Sequence, residues 1–133
     1  MAKRSSEFPT ELELQILQVL WQDSPLPVSD VQQRLAEGRA QRTLTYSSVI
    51  TVLNVMVRKK YLKRKKQGKA FLYAPLVSED EVSRGMLGDL VDRVFEGSAS
   101  SLMLNLLEKG DMDPDELKEI RKMINRMVRE NPE

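Results

Sequence analysis

A cluster of basic side chains is the feature of this sequence that points most directly to chemistry. Residues 58–69, RKKYLKRKKQGK, contain eight Lys or Arg and no acidic residue, and the apolar run AFLYAP follows them. Positive side chains this close together can neutralise the phosphates of a nucleic acid and release its condensed counterions. A solvated, solubilising surface is the alternative for a Lys-rich stretch. The predicted phosphate contacts within the cluster are Arg64, Lys65, Lys66 and Lys69.

Hydroxyl and amide side chains precede the cluster, in the segment TLTYSSVITVLN at residues 43–54. Short polar groups at the exposed start of a helix can hydrogen-bond to base edges in the major groove. The same hydroxyls can instead serve only as helix caps or as back-bonds to the helix, and both interpretations stay open for each of them. The further predicted nucleic-acid contacts are Arg42, Thr45, Tyr46, Ser47, Ser48, Thr51 and Asn54.

The composition argues against most kinds of catalytic or metal site. The 133 residues include no Cys and no His, which removes disulfides, thiol chemistry, ordinary zinc sites and the commonest general base. We see no Gly-rich phosphate loop and no acidic ligand spacing of the calcium-loop kind. We therefore predict no catalytic residues, no cofactor and no metal, and we disfavour a hydrolase or transferase that relies on carboxylates alone.

No segment is apolar enough to suggest a membrane or an export signal. A membrane span needs roughly 20 consecutive apolar residues, and no run approaches that length. Two basic residues near the N-terminus, Lys3 and Arg4, are not followed by the apolar stretch of a secretory signal. The expected location is the cytoplasm.

The charge is divided unevenly along the chain. Residues 1–75 hold 13 basic and 6 acidic residues, a net charge of +7, whereas residues 76–133 hold 8 basic and 14 acidic residues, a net charge of −6. This asymmetry is expected when one part binds a polyanion and the other does not. We predict two domains, residues 1–76 and residues 77–133.

The spacing of apolar residues predicts the elements that present the basic cluster. Thr10 and Glu13 form a capping-box pattern ahead of a helix that ends near Gln22. VSDVQQRLAEG predicts a short second helix, and Thr45 is a suitable N-cap for a third. The residues after this helix change to two extended runs around a Gly-containing turn. We predict a mostly α (α+β) winged helix-turn-helix whose wing has two or three β-strands.

Three amphipathic helices are predicted after residue 77. Capping-box patterns occur at Ser78 with Glu81 and at Asp113 with Glu116, and SASSLMLNLLEKG supplies the helix between them. A segment of roughly 57 residues gains only a thin core by itself, so we predict that it forms a homodimer. The predicted interface residues are Leu90, Val94, Leu102, Leu106, Leu117, Ile120, Ile124 and Met127.

Several of these segments together resemble the penicillinase-repressor (BlaI/MecI) family over about residues 10–128. They are ELELQILQVLW, SSVITVLNVMVRKKYL, QGKAFLYAPLVS and FEGSASSLMLNLLEKGDMDPDELKEIRKMI. The resemblance implies a winged-helix domain joined to a helical dimerisation domain. It also implies a transcriptional repressor that binds a palindromic double-stranded DNA operator as a homodimer. A regulatory protease that cuts the dimerisation domain would release the DNA.

The resemblance also assigns roles by position. The recognition helix would start at Ser47, Ser48 and Thr51. The wing tip would be Gly68 and Lys69, and the cleaved bond would join Asn105 and Leu106. This chain has Leu106 where the resistance repressors have Phe, Val55 where an Arg is common, and Lys60 where a Gly usually ends the third helix.

A second interpretation, from a different class, is a winged-helix interaction module whose basic face binds an acidic partner protein. Salt-dependent, sequence-selective DNA binding would separate the two.

Overall fold

The computed structural model describes residues 8–132 and contains six helices and one hairpin among them. The chain divides between Gly88 and Asp89 into two compact units. The predicted domain limits, 1–76 and 77–133, follow the change in charge and stay a prediction. The elements, in chain order, are α1 (Glu11–Gln22), α2 (Val28–Glu37), α3 (Tyr46–Arg58), β1 (Leu62–Gln67), β2 (Ala70–Pro75), α4 (Glu79–Val94), α5 (Ala99–Lys109) and α6 (Pro114–Glu130).

Capping boxes set the starts of α1, α4 and α6, as predicted. At α1 the Thr10 backbone N–H donates to Glu13 Oε1 over 2.9 Å, while the Glu13 N–H donates to Thr10 Oγ1 over 3.2 Å. Ser78 with Glu81 and Asp113 with Glu116 form the same reciprocal pair. Each pair satisfies two backbone donors that a helix end would otherwise leave without partners.

The core of the first unit lies between α1, α2, α3 and the hairpin. Apolar residues at spacings of three and four place one face of each helix inward, as a helix with 3.6 residues per turn requires. Trp21 extends this packing, because its indole N–H donates to the Val77 carbonyl over 2.9 Å and holds the segment that leads into α4. The residues with no exposed surface are Ile16, Leu17, Val31, Val49, Leu53, Met56, Leu62 and Tyr73.

The wing is an antiparallel hairpin of two strands. Gln67 pairs with Ala70, so the loop has two residues, and Gly68 takes a φ of +64° there, as the first loop position of a type II′ turn requires. The third strand is reduced to one bridge: the backbone N–H of Leu26 donates to the Tyr73 carbonyl over 3.0 Å, and that of Tyr73 to the Leu26 carbonyl over 2.8 Å. The predicted mostly α winged-helix fold is confirmed, with a two-stranded wing.

The third helix ends in a Schellman motif whose left-handed residue is Lys60. The backbone N–H of Tyr61 donates to the Met56 carbonyl over 2.9 Å, and that of Lys60 donates to the Val57 carbonyl over 3.1 Å. Lys60 has a φ of +68°, a conformation that favours glycine. This is the position where the resemblance led us to expect a Gly, and the turn forms without it.

The helices that follow the wing have capped N-termini but contain no buried residue among those described. Ser98 caps α5 through the Ser101 N–H, and Pro114 stands in the first turn of α6. None of the described residues of α4, α5 or α6 is buried. No helix within residues 8–132 is both long enough and apolar enough to cross a membrane.

Candidate nucleic-acid interface

An exposed polar stripe runs along α3 on the side away from the core. Its members are Ser47, Thr51, Asn54 and Arg58, at spacings of four, three and four residues, which is one face of a helix. Asn54 is half-buried and the other three are exposed. The opposite face carries the buried Val49, Leu53 and Met56. Core packing therefore determines which polar residues α3 presents.

The hydroxyls at the start of α3 differ in what they already bind. Thr45 Oγ1 accepts the Ser48 backbone N–H over 3.1 Å and donates to Ser48 Oγ over 2.9 Å. Thr51 Oγ1 donates back to the Ser47 carbonyl over 2.8 Å. Capping and back-bonding thus occupy Thr45 and Thr51. Ser47 and Ser48 keep exposed hydroxyls at the end of the helix where base readers would lie.

Two further predicted contacts flank this helix start. Tyr46 is 53% exposed at the first position of α3. Arg42 is half-buried in the loop before the helix, where its backbone N–H donates to the Leu35 carbonyl over 2.9 Å. Gln32 holds the same loop by donating from Nε2 to the Leu44 carbonyl over 2.8 Å. The loop that carries Arg42 is therefore tied to α2 at two points.

The wing carries basic residues on both of its faces. Arg64 lies opposite Tyr73 and Lys66 opposite Phe71, whereas Lys65 lies opposite Leu72. Directly opposed residues of an antiparallel pair share a face, and neighbours along a strand alternate. One face of the hairpin thus has Arg64 and Lys66 beside two aromatic rings, and the other has Lys65.

Arg64 is exposed, but two contacts hold its side chain at the base of the wing. Its guanidinium lies 4.4 Å from the centroid of the Phe71 ring, a cation–π contact. Its Nη1 donates to Asn54 Oδ1 over 2.8 Å, and the Tyr73 hydroxyl donates to the same oxygen over 3.1 Å. Two residues that we predicted separately as DNA contacts, Asn54 and Arg64, are therefore bonded to each other.

A second cation of the cluster also has a partner inside the unit. Lys59 Nζ lies 2.8 Å from Glu13 Oε2. Apart from Arg64 and Lys59, the cluster has six basic residues, and these form no ion pair within the part of the chain that the structure describes. Arg58, Lys60 and Lys63 belong to these six but were absent from our predicted set. The same acid-free run could have indicated them, and the spacing of α3 could have placed Arg58 on its polar stripe.

The residues predicted for the second unit all lie on its helices. Leu102 and Ile120 are half-buried, and the exposure of the other six predicted interface residues ranges from 38% at Ile124 to 61% at Val94. Asn105 and Leu106 lie within α5, where Asn105 Nδ2 donates to the Ser101 carbonyl over 2.9 Å. The second unit thus has an exposed apolar surface made up of these residues, and the predicted cleavage site is helical.

Comparison with known proteins identifies the family. The sequence profile of the penicillinase repressor matches residues 9–126. The chain belongs to the penicillinase repressor family. This confirms the family predicted from the sequence and the prediction of a DNA-binding transcriptional repressor with a winged-helix fold.

Several members of this family are similar to the chain along most of its length. MecI of Mammaliicoccus sciuri, a methicillin resistance regulatory protein, is 26% identical over 86% of this chain and 90% of that protein. The penicillinase repressor of Bacillus licheniformis is 25% identical over 86% and 88%. The transcriptional regulator BlaI of Mycobacterium tuberculosis is 28% identical over 77% and 74%. A solved structure of the DNA-binding domain of the repressor BlaI aligns with a TM-score of 0.46 and 24% identity, over 54% of this chain and 84% of that one.

Proposed function

We propose that this family member acts as a homodimer that binds a palindromic double-stranded DNA operator and represses adjacent genes. The observation that carries the proposal is the juxtaposition, in one unit, of the polar stripe of α3 and an acid-free basic wing. Helix residues in the major groove can select a sequence, whereas wing cations add affinity for any backbone. The two surfaces therefore supply both parts of specific binding.

The cations of the basic cluster that pair with no other described residue account for the affinity. Six such residues per chain lie at the end of α3 and along the wing. The logarithm of the binding constant falls linearly with the logarithm of the salt concentration. Each phosphate that is neutralised makes this slope steeper by about 0.9. Binding should therefore weaken steeply with ionic strength, and most of that loss should be independent of sequence.

Dimerisation is supported by the helices of the second unit. An isolated helix shorter than about 12–15 residues is marginal in water, and packing of an apolar face normally stabilises it. Here α5 has 11 residues, and neither α5 nor α6 buries a described side chain. A second copy of the chain would cover the apolar surface. Two-fold symmetry would then place two recognition helices about one DNA turn, roughly 34 Å, apart.

Cleavage between Asn105 and Leu106 would require α5 to open. The bond lies in the interior of a helix whose first turn is capped by Ser98, and proteases cut extended, exposed segments. We therefore infer that a regulatory protease would act on a chain in which α5 has locally unfolded, a low-energy event in a region with few buried contacts.

Sedimentation equilibrium of the full chain, alone and with a fluorescent operator duplex at two salt concentrations, tests the proposal. We expect two chains per complex and a fall in affinity of more than tenfold between about 50 mM and 200 mM salt. Selection from a random duplex library should yield an inverted repeat. A monomer that binds no duplex, but binds an acidic protein, would replace the proposal with the interaction module.

A further inference from the structure

We infer that Asn54 is a positioning residue that fastens the wing to the recognition helix, and that Arg64 is its partner in this role. The inference concerns one hydrogen-bond cluster: Asn54 on α3, Arg64 on β1 and Tyr73 on β2. Asn54 Oδ1 accepts from Arg64 Nη1 over 2.8 Å and from the Tyr73 hydroxyl over 3.1 Å. One side-chain oxygen thus joins three elements.

The chemistry of the three groups determines how the amide is oriented. A guanidinium has only donors, so the oxygen of Asn54, and not its nitrogen, must face Arg64. An amide oxygen has two lone pairs, and Arg64 and Tyr73 use both. The wing therefore holds the oxygen, and the two N–H donors of the same amide lie at its other end.

The partners of Asn54 are themselves held in place. Tyr73 has no exposed surface, and its backbone forms both hydrogen bonds of the bridge with Leu26. Arg64 packs its guanidinium 4.4 Å from the centroid of the Phe71 ring, and a planar guanidinium that is stacked in this way loses little further freedom when it donates. The hydrogen-bond cluster is therefore anchored in the core through Tyr73 and on the wing through Arg64.

The consequence for the free protein is an ordered wing. A lone two-stranded hairpin is marginally stable in water, and the wing from Lys63 to Ala70 is exposed on every residue. The hydrogen-bond cluster of Asn54, Arg64 and Tyr73 fastens the base of the wing to α3, so that the cations beyond Arg64 keep a constant position relative to the recognition helix.

The consequence for DNA binding rests on the proposed function. Arg64 is engaged inside the unit, so its removal should leave the number of neutralised phosphates nearly unchanged. Loss of the hydrogen bonds among Asn54, Arg64 and Tyr73 should instead lower affinity for all duplexes alike, by about three- to tenfold, because binding must then order the wing.

Backbone ¹⁵N relaxation of the full chain without DNA tests the first consequence. In Asn54→Ala we expect the order parameters of the wing amides to fall from about 0.85 towards 0.6 or below, with the amides of α1 unchanged. Asn54→Asp keeps acceptor oxygens for Arg64 and Tyr73 and should retain an ordered wing even if Asn54→Ala folds poorly. Thr51→Ala is the matched control, since the Thr51 hydroxyl bonds only to its own helix. A wing that stays ordered in Asn54→Ala would overturn the inference whether or not the protein binds DNA.

Salt-dependent DNA binding tests the second consequence. Arg64→Ala should lower affinity with little change in salt slope, whereas Lys66→Ala, on the same face of the wing, should reduce the slope. Two results would contradict the positioning role. One is a reduction in slope by Arg64→Ala equal to that of Lys66→Ala. The other is a change in base preference by Asn54→Ala with unchanged wing order, which would make Asn54 a base-reading residue.

Discussion

Lys59 Nζ lies 2.8 Å from Glu13 Oε2 and ties the end of α3 to the start of α1. The Glu13 side chain is 5% exposed, and its other oxygen accepts the Thr10 backbone N–H. The carboxylate therefore has a partner on each oxygen, and Lys59, at 36% exposure, remains partly in water. One member of the basic cluster thus supports the fold.

Replacing Glu13 should destabilise the protein more than replacing Lys59. Glu13→Ala removes both the cap and the ion pair, and we expect a loss of about 2 kcal/mol in the free energy of unfolding. Lys59→Met keeps the cap but leaves the buried carboxylate without its cation, and we expect a smaller loss of about 1 kcal/mol, because the partly exposed Lys59 position lets water reach that oxygen. Urea unfolding measures both. Glu11→Ala, in the same first turn but at an exposed position, is the control and should cost no more than about 0.5 kcal/mol. An equal loss in Glu11→Ala would show that only the negative charge at the helix start matters.

Lys60→Gly should stabilise the protein. A non-glycine residue in the left-handed conformation costs about 1–2 kcal/mol, part of which Gly gives back through its greater freedom in the unfolded chain. We expect a gain of about 0.5–1 kcal/mol in urea unfolding. Lys60→Ala removes the same charge but keeps the strain of a non-glycine residue in the left-handed conformation, so it should leave the stability nearly unchanged. If both variants gained equally, relief of charge repulsion would be the cause.

The stability should fall at alkaline pH in a way that depends on Tyr61. Burial, and secondly the negative Glu13, raise the pKa of Tyr61, although Lys59 opposes them. Because the folded state holds this proton more tightly, the associated stability is complete below the ordinary tyrosine pKa of about 10 and is lost as pH rises through the higher folded value. Urea midpoints measured across this range should decline more steeply for the wild type than for Tyr61→Phe. Parallel declines would show that Tyr61 does not contribute.

The wing lysines should supply affinity without selectivity. Changing Lys65, Lys66 and Lys69 together to Ala should weaken binding to every duplex and lower the salt slope, by as much as about 5 for a dimer. The control triple of Lys118, Lys122 and Arg129 on α6 removes the same charge far along the chain and should leave the slope unchanged. Fluorescence anisotropy at several salt concentrations measures this. A change in selectivity at constant slope would mean that the wing reads bases.

Ser48→Ala should alter the preference between DNA sequences. The Ser48 backbone N–H would still be capped by Thr45, so the helix start should survive the change. We expect a shift of about 1 kcal/mol in relative affinity at one base pair, with the salt slope unchanged. Competition binding against single-substitution duplexes measures the shift. Ser83→Ala on α4 is the control, and a uniform loss for all duplexes would assign Ser48 to the backbone.

Ile124→Asp should dissociate the proposed dimer. Ile124 lies on the apolar side of α6 and is 38% exposed in the single chain, and a charge there would be buried without a partner in a dimer. We expect monomers in sedimentation equilibrium and a melting temperature that no longer depends on protein concentration. Arg126→Asp, on the opposite side of α6 from Ile124 and exposed, should remain dimeric. If both variants stayed dimeric, the interface would lie elsewhere.

Local signals made much of this fold predictable. A capping box links residues three apart, and helical spacing repeats every three or four, so Thr10 with Glu13 and the buried face of α3 could be identified without tertiary structure. The change from helical to alternating pattern located the wing in the same way. The hydroxyls of Thr45 and Thr51 show the limit, because the sequence allowed both a cap and a base reader.

The sequence by itself determined the order of elements, the family and the concentration of positive charge at the end of α3 and in the wing. Only the tertiary structure decided which of those charges are free, because Glu13 and Lys59 are 46 residues apart and Asn54 and Arg64 are ten. No short-range period connects such pairs. The packing of α1, α3 and the hairpin around one core brings them within hydrogen-bond distance. The buried Glu13 carboxylate would be costly without a partner, whereas the exposed Arg64 is positioned by its contacts with Phe71 and Asn54.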